Sequence, residues 1–245
     1  MMNNLWFSWP QSKNVKTLMT TRSDGASKPP FAANNLATHV GDKLANVLDN
    51  RCVLRSKLHL LHEPHWLQQV HSNQCVVIEQ DTNRDADASI TSTPQQVLAI
   101  MTADCLPIML CNHHGTEIAA IHAGWKGLFN GVIENTLLKL CSLPQNVSAW
   151  IGPGICKTCF VIKNDIINAY PLQYRLYATY FKKDPDAELW YVDLPGIAEK
   201  ILRQYQINQI YQSNICTFEQ PNNFYSYRRD GDTGRMATLI WMEYA

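Results

Sequence analysis

The sequence predicts an α/β fold with mixed β-sheets, folded as a single domain over residues 1–245. Two short apolar runs, 106–111 and 118–121, are typical of buried strands, and the polar segment 112–115 between them predicts a hairpin-like turn. Apolar residues at helical spacing follow Gly124 and recur further along, but strands and helices do not alternate strictly. No internal repeat, low-complexity tract or linker divides the chain.

The N-terminal half begins with a predicted strand at 16–21 and a loop rich in Gly, Pro and Ser at 23–30. A helix is predicted to open at Gly41, with Asp42 as its cap, and to end by Pro64. Its helical spacing comes from Leu44, Val47, Leu48, Leu54, Leu58 and Leu61. The imidazoles of His59, His62 and His65 could suggest a metal site, but we interpret them as cations favoured near a helix C-terminus. Strands are predicted at 75–79 and 97–101.

The C-terminal half contains a predicted helix after Gly124, with an apolar face formed by Leu128, Val132, Ile133, Leu137, Leu140 and Cys141. A strand is predicted at 146–151, helices at 163–177 and 194–205, and strands at 209–211 and 237–242, with Asp193 capping the second helix. The loop 224–235 is rich in Arg and aromatic residues. Such a loop is ordinarily solvated, although its composition would also suit a phosphate and a stacked base.

Composition favours a small-molecule ligand. Lys+Arg and Asp+Glu both count 21, so no global field attracts nucleic acid or an anionic membrane. We expect no signal peptide at the N-terminus and no membrane span, because the most apolar window, 97–111, is short and interrupted. The eight cysteines are therefore expected to be free thiols in a cytoplasmic protein, and we expect a monomer.

Cys156 and Cys159 form a C-x-x-C pair. A structural zinc site would need a second pair, which the spacing of the remaining cysteines does not provide, and a redox pair would be expected at a helix start. We interpret the two as unrelated buried thiols.

Cys105 begins the first apolar run and His122 ends the second. An antiparallel pair of strands would bring both to the same sheet edge, which predicts a reactive pair. His71 precedes a polar turn. By itself it is typical of a hydrogen-bonded turn residue, and we consider it a ligand only together with such partners. The Gly-x-x-Gly turn at 124–127, with Lys126, is a weak signal for an anion site.

Five motifs in order resemble the laccase-domain family, also called the polyphenol oxidase family, whose members are described as purine nucleoside phosphorylases with adenosine deaminase activity. They are Gln69-Val70-His71-Ser72, Ala103-Asp104-Cys105-Leu106-Pro107-Ile108, His122-Ala123-Gly124-Trp125-Lys126-Gly127, Ile151-Gly152-Pro153, and Ser226-Tyr227-Arg228-Arg229-Asp230 with Thr233-Gly234-Arg235. Arg22, Asn35-Leu36 and Val40-Gly41-Asp42 also resemble the N-terminal pattern of the family.

The resemblance implies two mixed sheets between helical layers, in an α/β/β/α arrangement, and a metal site formed by His71, Cys105 and His122. Zinc suits these ligands and copper is also compatible with them. The implied substrates are inorganic phosphate and adenosine, inosine, guanosine or methylthioadenosine. We predict that Arg22, Arg228 and Arg229 clamp phosphate, with Asn35 and Lys126 as further substrate-binding residues.

Other activities remain open. In deamination, water would replace the amino group at C6 of adenosine, with Asp104 or Cys105 as candidate proton carriers. A copper-dependent phenol oxidase would need more His ligands than are evident, whereas a Cys–His hydrolase acting in peptidoglycan editing is chemically sensible. A non-catalytic metal-binding protein is the remaining alternative. This chain has Phe160-Val161-Ile162 where the family usually has an aromatic residue, Glu and Val, and Ser23-Asp24-Gly25 where it usually has x-Gly-Gly. We expect altered substrate contacts at Val161 and a differently shaped loop near Arg22.

Overall fold

A computed structural model describes residues 4–7 and 9–244. The strands in this part of the chain are β1 (Asn4–Trp6), β2 (Val15–Thr20), β3 (His65–Trp66), β4 (Cys75–Val77), β5 (Ala88–Thr91), β6 (Val97–Thr102), β7 (Leu106–Asn112), β8 (Ile118–Ala123), β9 (Val147–Ile151), β10 (Val161–Lys163), β11 (Phe181–Lys183), β12 (Leu189–Val192), β13 (Gln209–Gln212) and β14 (Met236–Met242). The helices are α1 (Leu44–Lys57), α2 (Trp125–Phe129), α3 (Val132–Lys139), α4 (Asn164–Ala169), α5 (Pro171–Leu176), α6 (Leu194–Gln204) and α7 (Tyr227–Asp230).

Two mixed sheets form the centre of the fold. One has the strand order β1-β2-β14-β6-β3 and the other β13-β9-β7-β8-β5-β4. Each combines antiparallel pairs with a parallel pairing at an edge, namely β3 with β6 in the first, and β13 with β9 and β4 with β5 in the second. The predicted hairpin is present as β7 and β8. Both strands are buried along their whole length, which explains their continuous apolar sequences.

The two sheets pack face to face between helices. Leu98 and Ile240 of the first sheet share a buried cluster with Met109 and Trp150 of the second. On the outer face of the second sheet, apolar side chains of α3 and α6 join the strands. Leu54 of α1 packs on the outer face of the first sheet. The layers are therefore α/β/β/α, which confirms the predicted α/β fold with mixed sheets. A smaller antiparallel sheet, β10-β12-β11, adds to this framework.

Several predicted elements are shorter or divided. The strand expected at 75–79 ends at Val77, and the helix expected at 163–177 is divided into α4 and α5. Pro171 is the first residue of α5, where the missing N–H is tolerated. The helix after Gly124 is likewise divided into α2 and α3 at Gly131, whose φ is 88°.

Helix α1 buries only part of the predicted apolar face, namely Val47 and Leu54. Leu44 and Leu48 are half exposed, whereas the polar Asn50 is buried. The Asn50 amide donates to Ser27, Ala33 and Asn35 and accepts from the backbone N–H of Ala26, so it fastens the preceding loop to the helix. Asp42 is not the helix cap; its carboxylate accepts from the Lys43 N–H and from the Asn35 side chain.

None of the helices in the described residues is long and apolar enough to cross a membrane. All eight cysteines lie in this part of the chain, and all are free thiols, as predicted.

Candidate metal centre and its surroundings

The register of β7 and β8 brings Cys105 and His122 together. Pro107 pairs with His122 across the hairpin, so Cys105 lies at the same sheet edge. His71 reaches this edge from the loop between β3 and β4. Its Nε2 lies 3.8 Å from the Cys105 Sγ, and one ligand atom from each of the three residues lies within 4.8 Å of the others. The structure therefore brings together the three residues predicted to bind a metal.

The loop carrying His71 is held by two side chains. Gln69 donates to the carbonyl of Met101 and accepts from its N–H, both at 2.8 Å, which fastens the loop to the end of β6. The fully buried Asp87 accepts the backbone N–H groups of Val70, His71 and Ser72. His71 itself has a φ of 58°, so this network maintains a backbone conformation that non-glycine residues seldom adopt.

Asp87 also orients the second imidazole. Its carboxylate lies 2.7 Å from His122 Nδ1, which leaves Nε2 directed at the ligand cluster. Burial opposes ionisation of Asp87, but its hydrogen bonds with His122 and Ser72 lower the pKa of this carboxyl below its ordinary value. Carboxylate–imidazole pairs of this kind fix the tautomer of metal-binding histidines.

In the metal-free protein, the thiol and the imidazole form a charged pair. Burial alone would raise the pKa of Cys105, but the positive charges of His122 and His71 lower it to about 6. Burial also opposes the charge on His122, but the Cys105 thiolate and Asp87 raise the pKa of this imidazole to about 9. Cys105 therefore presents a thiolate, the form that binds a metal, at neutral pH.

Gly124 makes the close approach of the ligands possible. A Cβ at this position would lie 2.8 Å from the Cys105 Sγ and 2.8 Å from His71 Cδ2. The side chain of His71 remains exposed while His122 is buried, so one side of the cluster faces solvent. Two imidazoles, one thiolate and an open side fit a zinc ion with one free coordination position. Copper is compatible with the same donors.

Asp104 has a structural position beside Cys105. Its carboxylate accepts from the hydroxyls of Thr217 and Ser226 and from the backbone N–H of Arg228, at 2.7, 2.9 and 2.7 Å. The Ser226 hydroxyl also accepts the N–H of Arg229 and caps α7. Asp104 thus holds the Arg-rich loop against the candidate metal centre, which favours a positioning role over the proton transfer considered from the sequence.

The arginines predicted to clamp phosphate have different surroundings. Arg229 donates to the carbonyls of Thr217, Phe218 and Phe224 and forms a bidentate pair with Asp230. Its N–H groups are thus committed to the loop. Arg22 donates to the carbonyls of Pro221 and Ala32 and lies 3.7 Å from Asp230.

Arg228 is exposed and uses one guanidinium nitrogen to bind the Val161 carbonyl, with Phe160 beneath it. Val161 stands where the family usually has Glu, so the Arg228 side chain contacts the backbone of the position at which the sequence departs.

Asn35 and Lys126 occupy opposite environments. Asn35 is fully buried, and its amide bonds Ala37, Asp42 and the N–H of Arg235, so it shapes the loop and has no surface for a substrate. The predicted substrate contact of Asn35 is therefore replaced by a structural role. Lys126 is exposed on α2, the helix that begins directly after Gly124, and its Nζ lies 5.5 Å from the Trp125 ring centre.

Sequence reasoning did not assign Asp87, Arg235 or His39 to the site. Burial lowers the pKa of Arg235 below its ordinary value, although the negative charges of Cys105 and Asp104 oppose this shift. Arg235 is therefore close enough to the centre to interact with its charges. Burial and the charges of Arg235, Arg51, His122 and His71 lower the pKa of His39. No local pattern singles out Asp87, because its partners His71, Ser72 and His122 come from other segments of the chain.

Fold and centre together define an α/β protein with an open Cys/His₂ candidate metal site. The chain matches the family described as multi-copper polyphenol oxidoreductase laccase over residues 16–243 and belongs to it. The resemblance stated from the motifs is therefore confirmed.

Similar proteins cover almost the whole chain. The purine nucleoside phosphorylase YfiH of Escherichia coli is 39% identical over 236 residues, which is 96% of each chain. A purine nucleoside phosphorylase of Haemophilus influenzae is 39% identical over 238 residues, covering 96% of this chain and 98% of its own. The crystal structure of a Neisseria meningitidis protein matches with a TM-score of 0.92 and 38% identity, covering 99% of this chain and 100% of the other.

Proposed function

We propose that this protein is a zinc-assisted purine nucleoside phosphorylase that also deaminates adenosine. Its substrates would be inorganic phosphate and adenosine, inosine, guanosine or methylthioadenosine. The observation that carries this proposal is the convergence of His71, Cys105 and His122 on one open centre, in a chain related to proteins named purine nucleoside phosphorylases. All eight cysteines are free, which is compatible with a cytoplasmic location. We expect the protein to act as a monomer.

His71, Cys105 and His122 would hold the zinc. Zinc with an open coordination position polarises an oxygen or nitrogen acceptor and lowers the pKa of water. Asp87 would keep His122 in the tautomer that presents Nε2, because the carboxylate accepts the Nδ1 proton. In phosphorolysis, an oxygen of phosphate forms a bond to the ribose C1′ while the bond from C1′ to the purine nitrogen breaks.

A groove beside the centre suits the nucleoside. It has a volume of about 520 Å³ and is lined by His39, Trp66, Val70 and Met101, among others. This volume lies within the usual range of small-molecule sites, and the lining combines an aromatic ring with polar groups. Val70 precedes His71 in the chain. The pKa of His39 is lowered by burial and, among other charges, by those of the proposed ligands His122 and His71. We assign this groove to the purine because its lining residue Val70 is adjacent in the chain to the proposed ligand His71.

Arg228, Arg235 and Lys126 are the cations we assign to phosphate. Arg228 and Lys126 are exposed, and Arg235 is coupled to the charge of Cys105, although its Nη1 donates to the carbonyls of Thr233 and Gly234. Arg229 and Arg22 are omitted because the Asp230 carboxylate already accompanies their charges, as a bidentate partner of Arg229 and at 3.7 Å from Arg22. A guanidinium offers both positive charge and fixed N–H directions to a phosphate.

The first test is phosphate-dependent release of purine base from a nucleoside panel, measured by chromatography with metal-free and zinc-loaded protein. We expect release only with phosphate and restored metal. Cys105→Ser should abolish it, whereas Cys141→Ser, a change at an exposed thiol, should not. Absence of base release from every nucleoside by the zinc-loaded protein would refute the proposal.

A second test separates the two reactions. Arg228→Ala should lower phosphorolysis by roughly ten- to a hundredfold, because a charge-assisted contact contributes about 1.5–3 kcal/mol. Deamination, which uses water, should be less affected. Arg203→Ala is the matched control, since Arg203 is exposed on α6 and pairs with Glu199. Equal losses of both activities in Arg228→Ala would remove its phosphate assignment.

A Cys–His hydrolase is the second candidate, supported by the Cys105–His122–Asp87 arrangement. A thiolate with a pKa of about 6 next to an imidazole oriented by a carboxylate is the pattern of a nucleophilic cysteine. The two functions differ in their metal requirement. The hydrolase would work in the presence of chelator and form a covalent Cys105 adduct with an amide or ester substrate. The phosphorylase would lose activity in chelator and regain it with zinc.

A further inference from the structure

The C-x-x-C pair interpreted from the sequence as incidental has partners from a distant segment. Cys156 and Cys159 follow β9, whereas Cys216 and Glu219 follow β13. Because β9 and β13 are parallel neighbours, their C-terminal ends meet at the same edge of the sheet. A bridge between Gly154 and Cys216 continues the pairing beyond both strands. The second pair needed for a metal site is therefore supplied by C-x-x-E, which a search for paired cysteines does not detect.

The four side chains converge on one point. One ligand atom from each of Cys156, Cys159, Cys216 and Glu219 lies within 4.8 Å of all the others. The Cys159 Sγ lies 3.7 Å from Glu219 Oε1. Zinc–sulfur bonds of about 2.3 Å and zinc–oxygen bonds of about 2.0–2.2 Å give a tetrahedral edge of about 3.6 Å between sulfur and oxygen. The spacing of Cys159 and Glu219 therefore already fits one shared ion, and the other ligand atoms lie within 4.8 Å of one another.

Hydrogen bonds already join the two segments here. The Cys156 N–H donates to Cys216 Sγ at 3.4 Å. The Cys156 Sγ lies 3.0 Å from the Thr158 hydroxyl. Because cysteine binds a metal as the thiolate, zinc binding would displace the thiol protons of the three cysteines.

We propose that Cys156, Cys159, Cys216 and Glu219 bind a second zinc ion with a structural role. Three thiolates and one carboxylate fill a tetrahedral coordination shell, so the site is closed, in contrast to the open Cys105 centre. Soft sulfur ligands in a tetrahedral arrangement select zinc over magnesium or calcium.

The ion would fasten two segments that build the wall of the first centre. Phe160, next to Cys159, lies under the Arg228 guanidinium. Thr217, next to Cys216, donates its hydroxyl to Asp104 at 2.7 Å. Joining these segments would therefore fix the positions of Phe160 and Thr217, and through their contacts those of Arg228 and Asp104. We assign the ion a structural role because four protein ligands fill its coordination shell and leave no position for a substrate.

The test is metal stoichiometry, measured by mass spectrometry on protein purified with a thiol reductant. Wild type should contain two zinc ions per chain. Cys105→Ala should retain one, and Cys156→Ser combined with Cys159→Ser should also retain one. Cys52→Ser, at an exposed thiol on α1, is the matched control and should retain both. A Cys105→Ala protein that binds no zinc overturns the proposal, and so does a Cys156–Cys159 disulfide that persists in the reductant.

Cobalt substitution keeps the test decisive if the double variant folds poorly. Cobalt in the Cys105→Ala protein should show strong sulfur-to-cobalt absorption from three thiolates, and Glu219→Gln in that background should weaken cobalt binding by roughly tenfold or more. Absorption from a single thiolate, or unchanged binding in Glu219→Gln, would contradict the ligand set. Loss of zinc from this site should lower the melting temperature, a result independent of nucleoside turnover, so this proposal and the proposed function can fail separately.

Discussion

Gly124→Ala tests whether the three proposed ligands need the space that a glycine provides. The added Cβ would lie 2.8 Å from the Cys105 Sγ and 2.8 Å from His71 Cδ2, against about 3.5–4.0 Å for an unstrained contact. Relief needs a displacement of about 0.7 Å or more, whereas metal–ligand distances tolerate about 0.2 Å. We expect zinc affinity to fall roughly ten- to a hundredfold, which corresponds to about 1.4–2.7 kcal/mol.

The fold should survive this change. Gly124 has a φ of −70° and a ψ of 160°, values that alanine adopts freely, so the effect comes from the contact and not from the backbone. Gly131→Ala is the reverse control, because Gly131 has a φ of 88° but only ordinary contacts around the added carbon. We expect it to destabilise the protein by about 1 kcal/mol while leaving zinc affinity unchanged.

Competition with a chromophoric chelator measures zinc affinity, and urea unfolding of the metal-free proteins measures stability. Gly124→Ala should show weaker zinc binding with little change in stability, whereas Gly131→Ala should show lower stability with unchanged zinc binding. Wild-type zinc affinity in Gly124→Ala would show that the ligands are not fixed at this approach, and the reasoning about the centre would be wrong.

Three further perturbations address neighbouring groups. Asp87→Asn should lower zinc affinity by roughly ten- to a hundredfold in chelator competition, because the amide no longer fixes the His122 tautomer, and wild-type affinity would contradict that role. In metal-free protein, alkylation of Cys105 should accelerate as pH rises through about 6, where its thiolate forms, and a midpoint near 9 would show that the His122 charge is absent. Arg229→Ala should lower the free energy of unfolding in urea by about 1.5–3 kcal/mol, because it removes the hydrogen bonds to the loop carbonyls. The exposed control Arg203→Ala should change it by less than about 0.5 kcal/mol. Similar values for the two variants would contradict the structural role of Arg229.

The local part of the centre could be predicted from the sequence because adjacent strands carry it. A polar turn between two apolar runs fixes an antiparallel hairpin, and this hairpin places Cys105 beside His122. The contribution of His71 depended on motif resemblance, since its loop reaches the centre through Gln69 and Asp87, which are tertiary contacts. No periodicity in the sequence encodes such contacts.

Two local patterns are incomplete for one physical reason. In α1, Val47 and Leu54 of the predicted apolar face are buried, but Leu44 and Leu48 remain at the surface, and the buried amide of Asn50 satisfies its hydrogen bonds in the core. At the C-x-x-C pair, parallel pairing of β9 with β13 brings Cys216 and Glu219 close from a segment far along the chain. In both places long-range contacts add what the local pattern does not contain.

The backbone at Asp104 indicates how the centre and its surrounding loops depend on each other. Asp104 has a φ of 90°, a conformation that costs about 1–3 kcal/mol in a non-glycine residue and persists only where the surroundings enforce it. The surroundings here are the hydroxyls of Thr217 and Ser226 and the N–H of Arg228. Because Asp104 immediately precedes Cys105, these three donors determine where the thiolate enters the cluster. The Arg-rich loop therefore does more than present cations, since it also sets the position of a proposed metal ligand.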